Sequence, residues 1–182
     1  LKTYPIALTA ILPPRRRADL LSRSRLLEKL YDLLEYRLVL LCAPAGYGKT
    51  TLLVDFIHTQ EVPACWYSID QTDADLILFL AHFLAALEQK FSGVGETARA
   101  VLGQADLAGF DLDLVVTHLV NSLQQASREH FVVVLDNFHL VGNQSRIAAF
   151  LSRFVQRAHD TCHVIILTRK QPDLPDLELM TS

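Results

Sequence analysis

The residues whose types and spacing could do chemistry gather at a few places along the chain. The first is Ala43-Pro44-Ala45-Gly46-Tyr47-Gly48-Lys49-Thr50-Thr51, which follows a short apolar run and opens a stretch of helical periodicity. Its core Gly48-Lys49-Thr50 fits the phosphate-loop pattern G-x-x-x-x-G-K-[ST], with Ala43 standing where the first glycine would be. Polyphosphate oxygens need a ring of backbone N–H donors, so the chain has to wrap closely. Gly46 and Gly48 permit the torsions and remove side-chain bulk. The same donors lie at a helix N-terminus, whose dipole favours an anion. Lys49 would then place a compact positive charge on the β- and γ-phosphates, and Thr50 would offer its hydroxyl to Mg2+. The implied cofactors are ATP or ADP with Mg2+. A chance glycine-rich turn is the competing explanation, and Gly-Lys-Thr between a strand and a helix counts against it.

A phosphate loop needs a second anchor for the metal, usually an acid that ends another apolar strand. Phe131-Val132-Val133-Val134-Leu135 followed by Asp136 supplies one, so Asp136 is expected to hold Mg2+ opposite Thr50, through a water. The next residue is Asn137. An amide can position a water but cannot take its proton, so hydrolysis is expected to be slow or absent. His139 lies nearby and reads more readily as a supporting or surface residue than as a catalytic one. A further apolar run ends in Thr168-Arg169, where the arginine either senses the γ-phosphate or is simply solvated or paired. Near the front, Leu21-Ser22-Arg23-Ser24-Arg25-Leu26-Leu27 begins a helix whose backbone either meets adenine or is plainly capped.

Other constellations are weak. Arg15-Arg16-Arg17 is too short a basic run, in a chain of net charge -3, for a nucleic-acid site. Asn143-Gln144-Ser145 matches a glycosylation sequon that a cytoplasmic chain would not use, and neither H-E-x-x-H nor G-x-S-x-G occurs. The three cysteines show no C-x-x-C spacing, which argues against a disulfide framework or a zinc site. No apolar run approaches the ~18 residues of a membrane helix. With 51% apolar and 20% charged residues the chain reads as a reduced, cytoplasmic globular domain with no membrane partner. It starts at Leu1 and closes on an acidic, proline-punctuated stretch, so it reads as a piece of something longer.

The elements that must position these residues follow from periodicity. Residues 1–21 are expected to be an extended, proline-broken lead-in, and residues 22–182 the P-loop domain. Helical spacing covers residues 22–35, 49–59, 73–91, 96–104 and 111–126, and recurs from Ile147 to Ala158. Apolar runs at 38–42, 65–69, 131–135 and 163–167 read as strands covered on both faces. Alternation of the two predicts an α/β fold of three layers around a mostly parallel sheet, with ligands beyond the carboxyl ends of the strands.

Together these residues resemble the N-terminal ATPase domain of MalT-type, LuxR-family transcriptional regulators, within the STAND class of signalling ATPases. The similarity runs over residues 13–177. It is carried by Arg-x-Arg-Leu-Leu at Arg23 to Leu27, by the loop from Ala43 to Thr51, and by Trp66-Tyr67-Ser68-Ile69-Asp70. Asp136-Asn137-Phe138-His139 matches the end of the Walker B strand, and Thr168-Arg169 the sensor arginine. The resemblance implies an AAA/STAND-like core and a nucleotide switch, with ADP holding an inactive state and ATP with an inducer allowing self-association and transcription activation. It also implies a fifth strand and a lid beyond these residues, and an inducer and DNA engaged only through other regions. Asn137 stands where the family has a second acid, which bears on the hydrolytic reset.

Overall fold

Strands that are apolar on both sides must be covered on both sides, and the chain achieves this with helices before and after each strand. The computed structural model describes residues 5–103 and 111–172. In chain order its elements are α1 (Ser24–Asp32), β1 (Leu38–Cys42), α2 (Lys49–Gln60), β2 (Ala64–Ser68), α3 (Leu76–Glu88), α4 (Glu96–Gly103), α5 (Leu112–Ala126), β3 (Phe131–Asp136), α6 (Ser145–Arg157) and β4 (Cys162–Thr168). The strands form one parallel sheet in the order β1-β4-β3-β2.

Successive strand side chains point to opposite faces, and the two cores divide accordingly. Phe131, Val133, Leu135, Tyr67, Val164 and Ile166 pack with α3, α5 and α6 on one face. Val132, Val134, Trp66, Ile165 and Leu167 pack with α1 and α2 on the other. The first core is knit by aromatic edges, with Phe83 against Phe150 at 5.2 Å and against Phe154 at 5.3 Å. This is the expected three-layer α/β fold with a parallel sheet. Among the described residues no helix is long and apolar enough to cross a membrane.

Register fixes where the site can be. Cys42 lies opposite Thr168, and Ser68 opposite Asp136, so the carboxyl ends of the strands come level along one rim. β1 is one of the two outer strands among the described residues, with β2 at the other edge, and Leu40 on β1 is 38% exposed.

Three segments differ from expectation. The helix expected over residues 73–91 is divided. Asp70 and Asp73 form a reciprocal capping box around the 3-10 turn Gln71–Ala74, and Asp75 then caps α3 by accepting from the amides of Ile77 and Leu78. A hydrophobic stripe cannot register such stacked caps, whose competing hydrogen bonds stop one helix and start the next. The helix expected over 22–35 begins only at Ser24 and tightens into a 3-10 turn at Leu33–Glu35. The lead-in is not simply extended either. Leu8–Ala10 is a 3-10 turn, and Ile11 after it is buried in the core beneath the sheet's α3 face. Gln104, expected to end the fourth helix, and the residues after Pro172 lie outside the described residues.

Candidate functional site

The loop begins where the sheet ends. The Ala43 amide still donates to the Thr168 carbonyl at 3.2 Å, so a small residue suffices at this position. The chain then turns through Gly46 and Gly48, whose φ angles of +83° and +78° lie in the left-handed region. A Cβ on Gly46 would meet nothing within 4 Å, and one on Gly48 only the Arg23 guanidinium at 3.8 Å. Within the protein alone, backbone torsion rather than crowding demands glycine here. The Gly46 and Gly48 amides have no hydrogen-bond partner among the described residues, and no side chain caps α2. Unpaired donors thus collect at a helix N-terminus. Lys49 Nζ folds back over them, donating to the Ala43 carbonyl at 2.5 Å and the Pro44 carbonyl at 3.1 Å.

Opposite the loop, Thr50 Oγ1 donates to Asp136 Oδ2 at 3.0 Å, and the Asn137 amide donates to Asp136 Oδ1 at 2.8 Å. Burial lifts the Asp136 carboxyl above its ordinary value. The bonds from Thr50 and Asn137 and the nearby charges of Lys49 and His139 offset only part of that lift. Asn137 has φ +60°, a left-handed torsion that asparagine accepts more readily than most residues. His139 Nδ1 is buried without a hydrogen-bond partner among the described residues. Burial, followed by the charges of Arg169 and Lys49, pushes the His139 imidazole below its ordinary value.

These groups line a cavity of about 650 Å3, a size typical of small-molecule sites. Gly46, Gly48, Lys49, Thr50 and Thr51 form one wall, with Asp136, Asn137, His139, Thr168 and Arg169 facing them from the ends of β3 and β4. Ala45 lines the cavity as well, whereas Pro44, Tyr47 and Arg23 do not. Tyr47 is 65% exposed, and Arg23 lies against Gly48 from outside. Sequence reasoning missed the remaining wall, Pro14, Arg15, Arg16, Arg17 and Leu20 of the lead-in. The basic run was its visible signal, but a stretch with no periodicity gives no hint of which surface it crosses. Nor did the sequence place His139 on the cavity, which it lines.

The donor set suits a magnesium-bound polyphosphate. Thr50 and Asp136 offer hard oxygens, the loop offers unpaired amides beside an ammonium, and among the described residues Asp136 is the one acid on a wall that carries Arg15, Arg16, Arg17, Lys49 and Arg169.

Fold and loop together define a P-loop α/β domain. The chain belongs to the AAA domain family, whose model matches residues 33–177. It is 30% identical over 161 residues to the HTH-type transcriptional regulator MalT of Yersinia pestis (strain Pestoides F), covering 88% of this chain and 17% of that protein. MalT of Cronobacter sakazakii (strain ATCC BAA-894) matches with the same identity and coverage. The chain thus spans about 17% of the length of these relatives. Among solved structures it is similar to the Walker-type ATPase of Pyrococcus abyssi, with a TM-score of 0.54 and 18% identity over 86% of this chain and 47% of that one, a likeness of fold. The resemblance to the P-loop domain of MalT-type regulators therefore holds.

Proposed function

We propose that residues 22–182, with the lead-in as an added wall, form the ATP- and ADP-binding switch domain of a signal-responsive transcriptional regulator working in the cytoplasm. The observation that carries it is the pairing of Thr50 with Asp136 beside a lysine-capped loop whose glycine amides have no partner among the described residues. Lys49 binds the β- and γ-phosphates, and the backbone from Pro44 to Thr51 wraps them. Thr50 and Asp136 hold Mg2+, whose charge, when bound, neutralises the phosphates. Arg169, at the carboxyl end of β4, reads the γ-phosphate, and Asn137 positions a water without accepting its proton. Arg23 supports the loop from outside, while Pro14, Leu20, Val54 and Leu167 give the cavity its apolar lining. Self-association, an inducer and DNA belong to the full-length regulator, the last two through regions outside this chain.

A second reading, a nucleotide-binding module without turnover, is favoured by Asn137, whose amide cannot take a proton from water. Titration with ATP and ADP, together with phosphate release, decides between them. Binding weakened about 10- to 100-fold by Lys49→Ala, as loss of charge-assisted bonds dictates, supports the site. Turnover then marks the slow ATPase, and its absence with retained ADP marks the module. A Lys49→Ala protein that binds like the unaltered chain overturns both.

A further inference from the structure

The lead-in has neither helix nor strand between Ile11 and Arg23, yet it is tied down at two points. Ile11 is sunk in the core on the α3 face of the sheet, 2% exposed. Farther on, Arg16 Nε donates to Asp55 Oδ1 at 2.8 Å, across 39 positions of sequence. Asp55 is 1% exposed and sits on α2, the helix that begins at the phosphate loop. It stands four residues after Thr51, one turn along the same helix face, and Thr51 lines the cavity.

A buried carboxylate is tolerated only when a cation and hydrogen bonds compensate its lost hydration. Nothing in packing a helix against a sheet requires an acid at this place, where the neighbouring Leu53, Val54 and Phe56 are buried apolar residues. Burial pulls the Asp55 carboxyl upward, but the bonds from Arg16 and Ser22 and the charges of Arg16 and His58 hold it below its ordinary value on balance. The compensating cation comes from the segment that walls the cavity. Keeping Asp55 charged therefore keeps the lead-in in place.

We infer that Arg16 is a positioning residue for nucleotide binding: its ion pair with Asp55 latches the lead-in to the phosphate-loop helix and closes one wall of the cavity. The inference rests on the nucleotide-site reading above. A nucleotide in the cavity touches the loop and the strap together, so occupancy tightens the latch and the latch raises affinity. Arg15 and Arg17, exposed on either side of Arg16 and lining the same cavity, are brought to the nucleotide by it.

The test measures Kd for MgATP by calorimetry on the whole chain and its Arg16→Gln, Arg16→Lys, Asp55→Asn and Arg16→Gln/Asp55→Asn variants. Hydrogen exchange across residues 12–20 is followed with and without nucleotide. The latch predicts Kd raised about tenfold by Arg16→Gln and by Asp55→Asn, and no further by the double variant, since both single changes remove one contact. It predicts substantial recovery in Arg16→Lys, and slowed exchange over residues 12–20 when nucleotide binds the unaltered chain. A folded Arg16→Gln protein with unaltered Kd overturns it. So does a loss confined to Arg16→Gln with Asp55→Asn unaffected, because Arg16 would then act on the nucleotide directly. If the variants do not fold, the exchange measurement decides alone, and unchanged exchange over residues 12–20 overturns the latch. Failure of the unaltered chain to bind ATP or ADP removes the nucleotide site itself, and the latch with it.

Discussion

At the scale of single residues, two polar positions illustrate different uses of a side chain. Asn137 serves the backbone first: directly after Asp136 the chain needs a left-handed torsion, which asparagine and aspartate both accept. Asn137→Asp should therefore fold normally while restoring a group able to take a proton. Phosphate release is expected to rise on the order of 100-fold, the scale of general-base assistance, and an unchanged rate would remove position 137 from the chemistry. His163 lies at the opposite end of the sheet. Its Nδ1 bonds the Tyr36 carbonyl at 3.0 Å, which can only accept, so Nε2 must accept from His130 Nδ1 at 2.8 Å. Burial pushes the His163 imidazole below its ordinary value, the Tyr36 bond and the Asp160 charge raise it, and His130 lowers it further. A histidine kept neutral by the fold adds stability above its unfolded pKa of about 6.5 and loses it as pH falls below that value. Urea unfolding from pH 7.5 to 5 should show declining stability for the unaltered chain and a flatter profile for His163→Gln.

At the scale of elements, legibility followed the physics each element obeys. β3 and β4 were plain because a run such as Phe131 to Leu135 has one explanation, burial on both faces. The phosphate loop was plain because few residue types reach its torsions. The junction before α3 was not, because Asp70, Asp73 and Asp75 act through local hydrogen bonds that hydrophobic spacing ignores. The lead-in was least legible, since its partner Asp55 is an acid inside an apolar helix face and no periodicity announces it. Aromatic packing decides which helix contributes most to the larger core. Phe83 on α3 is fully buried and meets Phe79, Phe150 and Phe154. Phe83→Ala should cost about 3–5 kcal/mol in denaturant unfolding, by lost transfer energy and the cavity left behind. A loss under about 1 kcal/mol would mean that α6 collapses into the gap.

At the scale of the whole molecule, the chain carries net charge -3 while its cavity wall carries, among the described residues, five cationic residues and a single acid, so attraction for an anion is local rather than global. Of the two outer strands, β1 has its own consequence. Leu40 is 38% exposed beside main-chain groups that pair with β4 on one side, an arrangement that favours edge-to-edge association. Leu40→Lys should reduce self-association of this chain in sedimentation at high concentration while changing stability by no more than about 0.5 kcal/mol. Unaltered sedimentation would show that β1 takes no part. The sheet also decides what can move. β3 is hydrogen-bonded along both flanks, so the backbone that carries the carboxylate at its tip stands like a surveyor's post. Beyond side-chain rotation, a lengthening of the Thr50–Asp136 contact comes from the helix, by a tilt or slide of α2, and whatever grips α2 from outside decides how far the moving jaw of the clamp can travel.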